Sequence, residues 1–306
     1  MDQFPRMAHP VNRYRKILER DAYRVIYEQL MGRVKESFET RSPANLVVTG
    51  NPGTGKSWFY LYCIFQLILE NKEEMEELPA FDLVLNFDYD YQLYDAKTKE
   101  FIKLNENEVD MLSGKDRVLR LVEAKSTHLV GWKGVFILFA SPGLDGMNDY
   151  LKVDSRRYIM PVWTLEELQD YNSLLDDKLK LADDALISRY DKFGGIARSA
   201  FALSVSSEDV QLTTAIGSFD ASKILSYAKL DQAVRDGMYS HRVIAMMPST
   251  DDYVDKYYLD FLSEHIAEKV IFKMSDDSVQ AMSHFARCCA TDGSLSNCPC
   301  SPSRSC

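Results

Sequence analysis

The sequence predicts an α/β fold: a three-layer core around a mainly parallel sheet, followed by a mostly helical C-terminal region. Three observations carry this expectation. Between residues 45 and 162, short apolar runs alternate with helical stretches, as in chains of parallel β–α units. A glycine-rich turn from Gly50 to Gly55 joins the first of these runs to a strongly apolar helical stretch. Beyond Thr164 the apolar residues recur at helical spacing almost throughout.

Taken in order, residues 13–39 read as an amphipathic helix, with Ile17, Leu18, Val25, Ile26, Leu30, Val34 and Phe38 at helical spacing. Ser42-Pro43 ends it, because the residue before a proline is pushed out of the helical region. Asn45 to Thr49 is a short buried strand, and a helix runs from Ser57 to about Glu70. The acidic run ENKEEMEE that follows reads as a solvated helix end. Strands are expected at Asp82–Phe87, Arg117–Val122, Val135–Ala140 and Tyr158–Val162, with a hairpin over Tyr91–Leu104 turning near Lys97-Thr98-Lys99. Thr164 with Glu167 forms a capping box. A second helix from about Asp183 runs into Gly194-Gly195, residues suited to a C-terminal cap. Shorter helices reach about Gly237, His241–Met247 reads as one further strand, and Asp252–Lys273 as one long helix. The expected organisation is a helical segment over 1–41, a core with a helical lid over 42–205, a helical and mixed region over 206–285, and a disordered cysteine-rich tail over 286–306.

With 306 residues the chain can bury a sizeable core. Its 46 acidic against 36 basic residues give a net charge of -10, which argues against a surface that grips nucleic acid as a whole. The longest apolar run, Trp58–Leu69, is interrupted at Gln66 and falls far short of the roughly 20 residues of a membrane span. The start, MDQFPRMAHPV, has no apolar signal core. The expectation is therefore a soluble intracellular protein with no membrane partner. Cys63 lies inside an apolar helix and reads as a small buried hydrophobe. Cys288, Cys289, Cys298, Cys300 and Cys306 lack the paired C-x-x-C spacing of a zinc site.

Gly50-Asn51-Pro52-Gly53-Thr54-Gly55-Lys56-Ser57 matches the phosphate-binding pattern G-x-x-x-x-G-K-[ST] in full, between a strand and a helix as the motif requires. Its glycines let backbone N–H groups converge on phosphate oxygens at a helix N-terminus. Lys56 is placed to reach the β- and γ-phosphates of a nucleotide, and the Ser57 hydroxyl to sit on Mg²⁺. The loop motif accepts adenine and guanine nucleotides alike. Hydrolysis needs a carboxylate at another strand end, and Asp88 and Glu123 both qualify. The second strand after the loop is the usual carrier, which favours Glu123 and leaves Asp88 as the alternative. Arg120, in the same strand, is an unusual residue for a buried position. Ser141 ends another strand and is a candidate contact for the γ-phosphate, although Ser-Pro is also an ordinary turn opener. Arg156 and Arg157 precede the fifth strand as a surface pair or an arginine finger. Arg198 is placed to swing onto the γ-phosphate from the helical part.

GNPGTGKSWFYLY, then Ala140-Ser141-Pro142, then the run YIMPVWTLEEL from Tyr158 to Leu168, then Phe193-Gly194-Gly195-Ile196-Ala197-Arg198 together resemble the Crinkler effectors. That family is related to the retrotransposon hot spot proteins. The resemblance covers about 42–203 and extends more loosely from His241 to Val270. It implies an ATPase module of the AAA and STAND type using ATP and Mg²⁺, with Lys56 and Ser57 in the nucleotide site and Arg198 as a sensor arginine. It also implies action in a host cell, often its nucleus, through a host protein, nucleic acid or a homo-oligomer. Three departures stand out. Glu123 occupies a position where family members usually carry Asp, the Leu-Phe-Leu-Ala-Lys translocation motif is absent, and a nuclease-like domain does not follow. The chain thus reads as a truncated or decayed member.

The leading functional expectation is a slow Mg-dependent ATPase acting as a switch or assembly module. The alternatives are a nucleotide-gated interaction protein with little hydrolysis, and a small-molecule kinase.

Overall fold

A computed structural model describes residues 17–70, 78–95, 97–123, 132–142, 155–219 and 240–273. Among them, the stretches within 17–49, 55–158 and 252–254 form one compact unit, and those within 50–54, 159–251 and 255–273 form a second.

The first unit is built on a seven-stranded sheet. Helix α1 (Asp21–Thr40) precedes strand β1 (Ala44–Thr49), and helix α2 (Lys56–Phe65) follows the glycine-rich loop and continues as a π-helical turn over Gln66–Glu70. Then come β2 (Asp82–Phe87), β3 (Asp90–Asp95), β4 (Glu100–Leu104), α3 (Glu106–Leu112), β5 (Val118–Glu123), β6 (Val135–Phe139) and β7 (Ser155–Ile159). The sheet order is β4-β3-β2-β5-β6-β1-β7. The pairs β2–β5, β5–β6 and β1–β6 are parallel, and the β2-β3-β4 meander is antiparallel. The α/β phosphate-loop fold follows from this arrangement: β1 lies inside the sheet, between β6 and β7.

Strands β5 and β6 are buried along their whole length, so each must be covered on both faces. On one face, Phe59 and Tyr60 of α2 meet Phe139 edge-on, with ring centroids 5.8 and 5.4 Å apart. Tyr23 and Tyr27 of α1 pack on Tyr62 of α2. On the other face, Val109 and Leu112 of α3 join Val47, Val84, Val122 and Phe136 in one apolar cluster. Arg120 points into this second face and is 1% exposed. Its guanidinium donates to Asn86 Oδ1 at 2.6 Å and lies 4.8 Å from the Trp132 ring centroid. An aromatic wall and an amide thus take the place of water around the charge.

The second unit contains α4 (Leu165–Leu174), α5 (Asp183–Phe193), the single turn α6 (Ala197–Ala200), α7 (Val205–Ser218), an antiparallel pair β8 (Ile244–Pro248) and β9 (Tyr257–Phe261), and α8 (Glu264–Lys273). Phe193, Leu212, Ile216, Ile244, Leu259, Ile266 and Val270 belong to its core. The capping box is present: Glu167 N–H donates to Thr164 Oγ1 at 3.1 Å, and Thr164 N–H to Glu167 Oε2 at 3.0 Å. Gly194 caps α5 with φ 67°. A Cβ there would come within 2.1 Å of the Leu262 carbonyl oxygen, so only glycine fits.

Four sequence expectations are corrected. Helix α1 begins at Asp21, not at 13; residues 17–20 are not helical, and 13–16 lie outside the described residues. The fifth strand is Ser155–Ile159, earlier than Tyr158–Val162, because Pro161 has no N–H to offer a ladder. The strand expected at His241–Met247 is β8, shifted to Ile244–Pro248. The long helix expected over 252–273 is a turn, β9 and α8. Tyr253 and Asp255 take left-handed backbone (φ 60° and 57°), which breaks a helix, and buried Tyr257 and Leu259 alternate as in a strand. The expectations for the acidic run after Glu70, the helix toward Gly237 and the cysteine-rich tail fall outside the described residues. Among the described residues no helix is long and apolar enough to cross a membrane.

Candidate functional site

The Gly50–Ser57 loop leaves the C-terminal end of β1 and enters α2. Gly50, Gly53 and Gly55 all have positive φ, at 145°, 90° and 101°. Residues with a Cβ rarely adopt the last two values. The loop changes unit between Thr54 and Gly55, and each half is held within its own unit.

In the second unit, Asn51 is completely buried and acts as a side-chain strut. Its Nδ2 donates to the Ile244 carbonyl at 2.7 Å and the His241 carbonyl at 3.2 Å, and its Oδ1 accepts from Met246 N–H at 2.8 Å. A carboxamide offers the same donor and acceptor as a peptide group. Asn51 therefore satisfies the edge of β8 that does not face β9, as a neighbouring strand would. Trp163 Nε1 donates to the Thr54 carbonyl at 2.8 Å, and the Thr54 hydroxyl donates to the Asn51 carbonyl at 2.9 Å. A Cβ on Gly50 would meet the Met160 carbonyl oxygen at 2.4 Å. One on Gly53 would meet Ile196 Cγ2 at 2.9 Å and Arg198 Cβ at 3.0 Å. Arg198, on α6, thus lies directly against the loop. Pro52, Ile196, Arg198, Ser199, His241 and Arg242 are among the residues around a cavity of about 40 Å³.

Behind Arg198, the Ser199 hydroxyl and Arg242 Nη1 each donate to Glu208 Oε2 at 2.8 Å. Partial burial on its own would raise the Glu208 carboxyl. The hydrogen bonds from Arg242 and Ser199, with the charges of Arg242 and Arg198, outweigh it and hold the group below its ordinary range.

In the first unit, Tyr23 donates from its hydroxyl to the Gly55 carbonyl at 2.8 Å, fixing the start of α2. Lys56 is the first residue of α2 and is buried, while Ser57 is half-buried. Glu123 ends β5 and is 8% exposed. In register it stands opposite Phe139, which in turn stands opposite Val48. Glu123 is therefore level with the end of β1, two strands or about 10 Å away. It lies on the face that α2 covers: burial first, and then the Glu123 charge, push the Tyr60 phenol of α2 well above its usual range. Asp88 lies next to Glu123 in the chain-to-chain sense, its N–H 3.4 Å from the Glu123 carbonyl. It sits exposed in the β2–β3 turn with φ 49°. Ser141 is half-buried one residue past Ala140, whose N–H donates to the Val48 carbonyl at 3.0 Å. Arg156 is exposed and Arg157 half-buried on β7. Cys63 is a free, buried thiol whose pKa burial raises, in keeping with a packing role.

No family model matches this chain, and no curated protein is similar to it in sequence. Among solved structures it is similar to a chain in the structure of Drosophila ORC bound to DNA, at 14% identity and a TM-score of 0.40, over 92% of this chain and 81% of that one. It is also similar to the Aeropyrum pernix ORC2 protein in its ADPNP–ADP complexes, at 14% identity and a TM-score of 0.38, over 74% and 70% of the two chains.

The struts that hold the loop (Asn51, Trp163 and Tyr23) were not identified as such in the sequence. Asn51 was legible only as a variable position of the motif, and Tyr23 as one more apolar-face residue of a helix. Their partners lie 32 to 195 residues away, and pattern reading does not reach that far.

Proposed function

We propose that this chain binds a nucleoside triphosphate at the Gly50–Ser57 loop and hydrolyses it slowly with Mg²⁺, as a switch or assembly module. The carrying observation is the complete phosphate-loop motif between β1 and α2 with its glycines in the required positive-φ backbone. The residues present fit a phosphate group: side chains are excluded at Gly50 and Gly53 by neighbours within 3 Å, which leaves bare backbone along the loop. Lys56 would neutralise the β- and γ-phosphates, Ser57 would ligate Mg²⁺, and Glu123 would complete the metal's surroundings from the end of β5. Mg²⁺ supplies charge neutralisation on the phosphate oxygens and takes few protein ligands. Arg198, held against Gly53, is the candidate for sensing the γ-phosphate.

The resemblance to the Crinkler effectors extends the proposal to ATP as the nucleotide and to a host protein, nucleic acid or a second copy as the partner. A second reading keeps binding and loses turnover. It is favoured by Glu123 standing where that family usually carries Asp.

The test is titration of a fluorescent ATP analogue with Mg²⁺, paired with a phosphate-release assay. Wild type is expected to bind, and Lys56→Ala to lose binding by at least about tenfold. No binding by wild type overturns the proposal. Glu123→Gln is expected to keep binding and lose turnover. Faster turnover in Glu123→Asp, with unchanged affinity, would establish the second reading.

A further inference from the structure

At the sheet end remote from Glu123, the starts of β5 and β6, the segment before β1 and the C-terminal end of α1 enclose a hollow of about 50 Å³. Arg41, Lys115, Arg117 and Lys133 line it, with Asp116 as the one acid. Four cations against one anion is a sharp local reversal in a chain whose net charge is -10. The only ion pair among them is loose, with Arg41 Nε 3.9 Å from Asp116 Oδ2 and both side chains more than two-thirds exposed. Lys115, Arg117 and Lys133 make no side-chain hydrogen bond or ion pair to any described residue, so their donors are uncommitted. The backbone is unusual here as well. Arg41 and Arg117 both adopt left-handed conformations, φ 53° and 58°, which residues with a Cβ disfavour. Arg41 is the left-handed C-cap of α1, its N–H donating to the Ser37 carbonyl, and Arg117 immediately precedes β5.

From this geometry we infer that the hollow is a second anion site, independent of the phosphate loop, which takes the terminal phosphate of a phosphomonoester or a small inorganic phosphate. The size argues for one phosphate group. A single water needs roughly 10–15 Å³ of such space, so about 50 Å³ in a hollow open to solvent admits a phosphate group. The chemistry agrees, because guanidinium and ammonium groups are the natural donors to a dianion. A nucleic-acid strand is disfavoured: Phe38, the aromatic that lines the hollow, is 5% exposed and packs its ring on Phe81, so none of the lining residues offers an exposed aromatic for base stacking.

The experiment is calorimetric titration of full-length Lys56→Ala protein, whose phosphate loop is disabled, in a phosphate-free buffer of low ionic strength. The probes are sodium pyrophosphate, phenyl phosphate and a 20-mer single-stranded oligonucleotide. Saturable binding of pyrophosphate or phenyl phosphate is expected, weakening with added salt. Stronger binding of phenyl phosphate identifies an organic monoester as the source, and stronger binding of pyrophosphate an inorganic one. Adding Lys115→Glu should weaken binding about tenfold or more, and Lys115→Glu with Lys133→Glu should abolish it. Both side chains are exposed. Lys115→Gln with Lys133→Gln serves as a milder pair if circular dichroism shows that the charge reversals disturb folding. The inference is overturned by absence of saturable binding, by affinity that neither pair of substitutions changes, or by an oligonucleotide that binds more tightly than both small anions.

Discussion

Replacing Asn51 with leucine, which has the same heavy-atom branching but is bulkier, removes the strut between the phosphate loop and β8 without opening a cavity. Three hydrogen bonds disappear, and the Met246 N–H and the Ile244 carbonyl are left buried without those partners, on residues that are each 2% exposed. Each buried polar group stranded this way costs about 1–3 kcal/mol, so the loss is about 4 kcal/mol. In a chain of this size that corresponds to a fall in melting temperature on the order of 10 °C. Thermal unfolding by circular dichroism reads the fall, and hydrogen exchange at the Met246 amide reads its local origin. Nucleotide affinity should fall too, because Gly50 to Thr54 lose their anchor. Asn51→Asp gives an internal control. Its carboxylate would face two carbonyl oxygens, so the charged form is disfavoured and its folded-state pKa lies above the unfolded one. The variant's stability deficit should therefore shrink as pH falls and grow as pH rises through that raised value. A melting point within about 2 °C of wild type for Asn51→Leu, with unchanged exchange at Met246, would refute the strut reasoning.

Two further outcomes follow from the same region. Gly50→Ala should be more damaging than Gly53→Ala, because its Cβ would meet the backbone oxygen of Met160 at 2.4 Å, while that of Gly53 meets Ile196 Cγ2, which can rotate away, at 2.9 Å and Arg198 Cβ at 3.0 Å. The comparison of melting points and nucleotide affinities checks the order, and equal effects would contradict it. Glu208, held below its usual 4.5 by Arg242 and Ser199, contributes stability that is present above that value and is lost as pH falls through the depressed folded pKa. Glu208→Gln should accordingly flatten the acid side of the stability profile below about pH 4.5, and an unchanged slope between wild type and variant would count against the pairing.

Much of the fold was legible because its signals are local. A fully buried parallel strand writes itself as a continuous apolar run, which is why Val135–Phe139 and Asp82–Phe87 stand out. A phosphate loop must be glycine-rich and must join a strand to a helix. A capping box needs two residues three apart, and Thr164 and Glu167 supply them. The segment 252–273 misled for the converse reason. Its apolar residues fit helical spacing as well as strand alternation, and only the left-handed Tyr253 and Asp255 together with the pairing of β9 on β8 decide between them. Arg120, unusual for a buried strand position, is accommodated by the Trp132 ring and the Asn86 carboxamide, partners that no periodicity in its own strand announces.

Local chemistry alone, then, determined the α/β class and the glycine-rich loop between β1 and α2, since each depends on residues close together in the chain and on conformations that few residue types adopt. The tertiary structure decided what holds that loop and what lies against it: Asn51 on β8, Trp163 on Thr54, Tyr23 on Gly55, Arg198 on Gly53, and a cluster of four cations at the far end of the sheet. Such contacts join residues remote in sequence, and no periodicity encodes them. They exist only once burial has brought the segments together and each buried donor has had to find its acceptor.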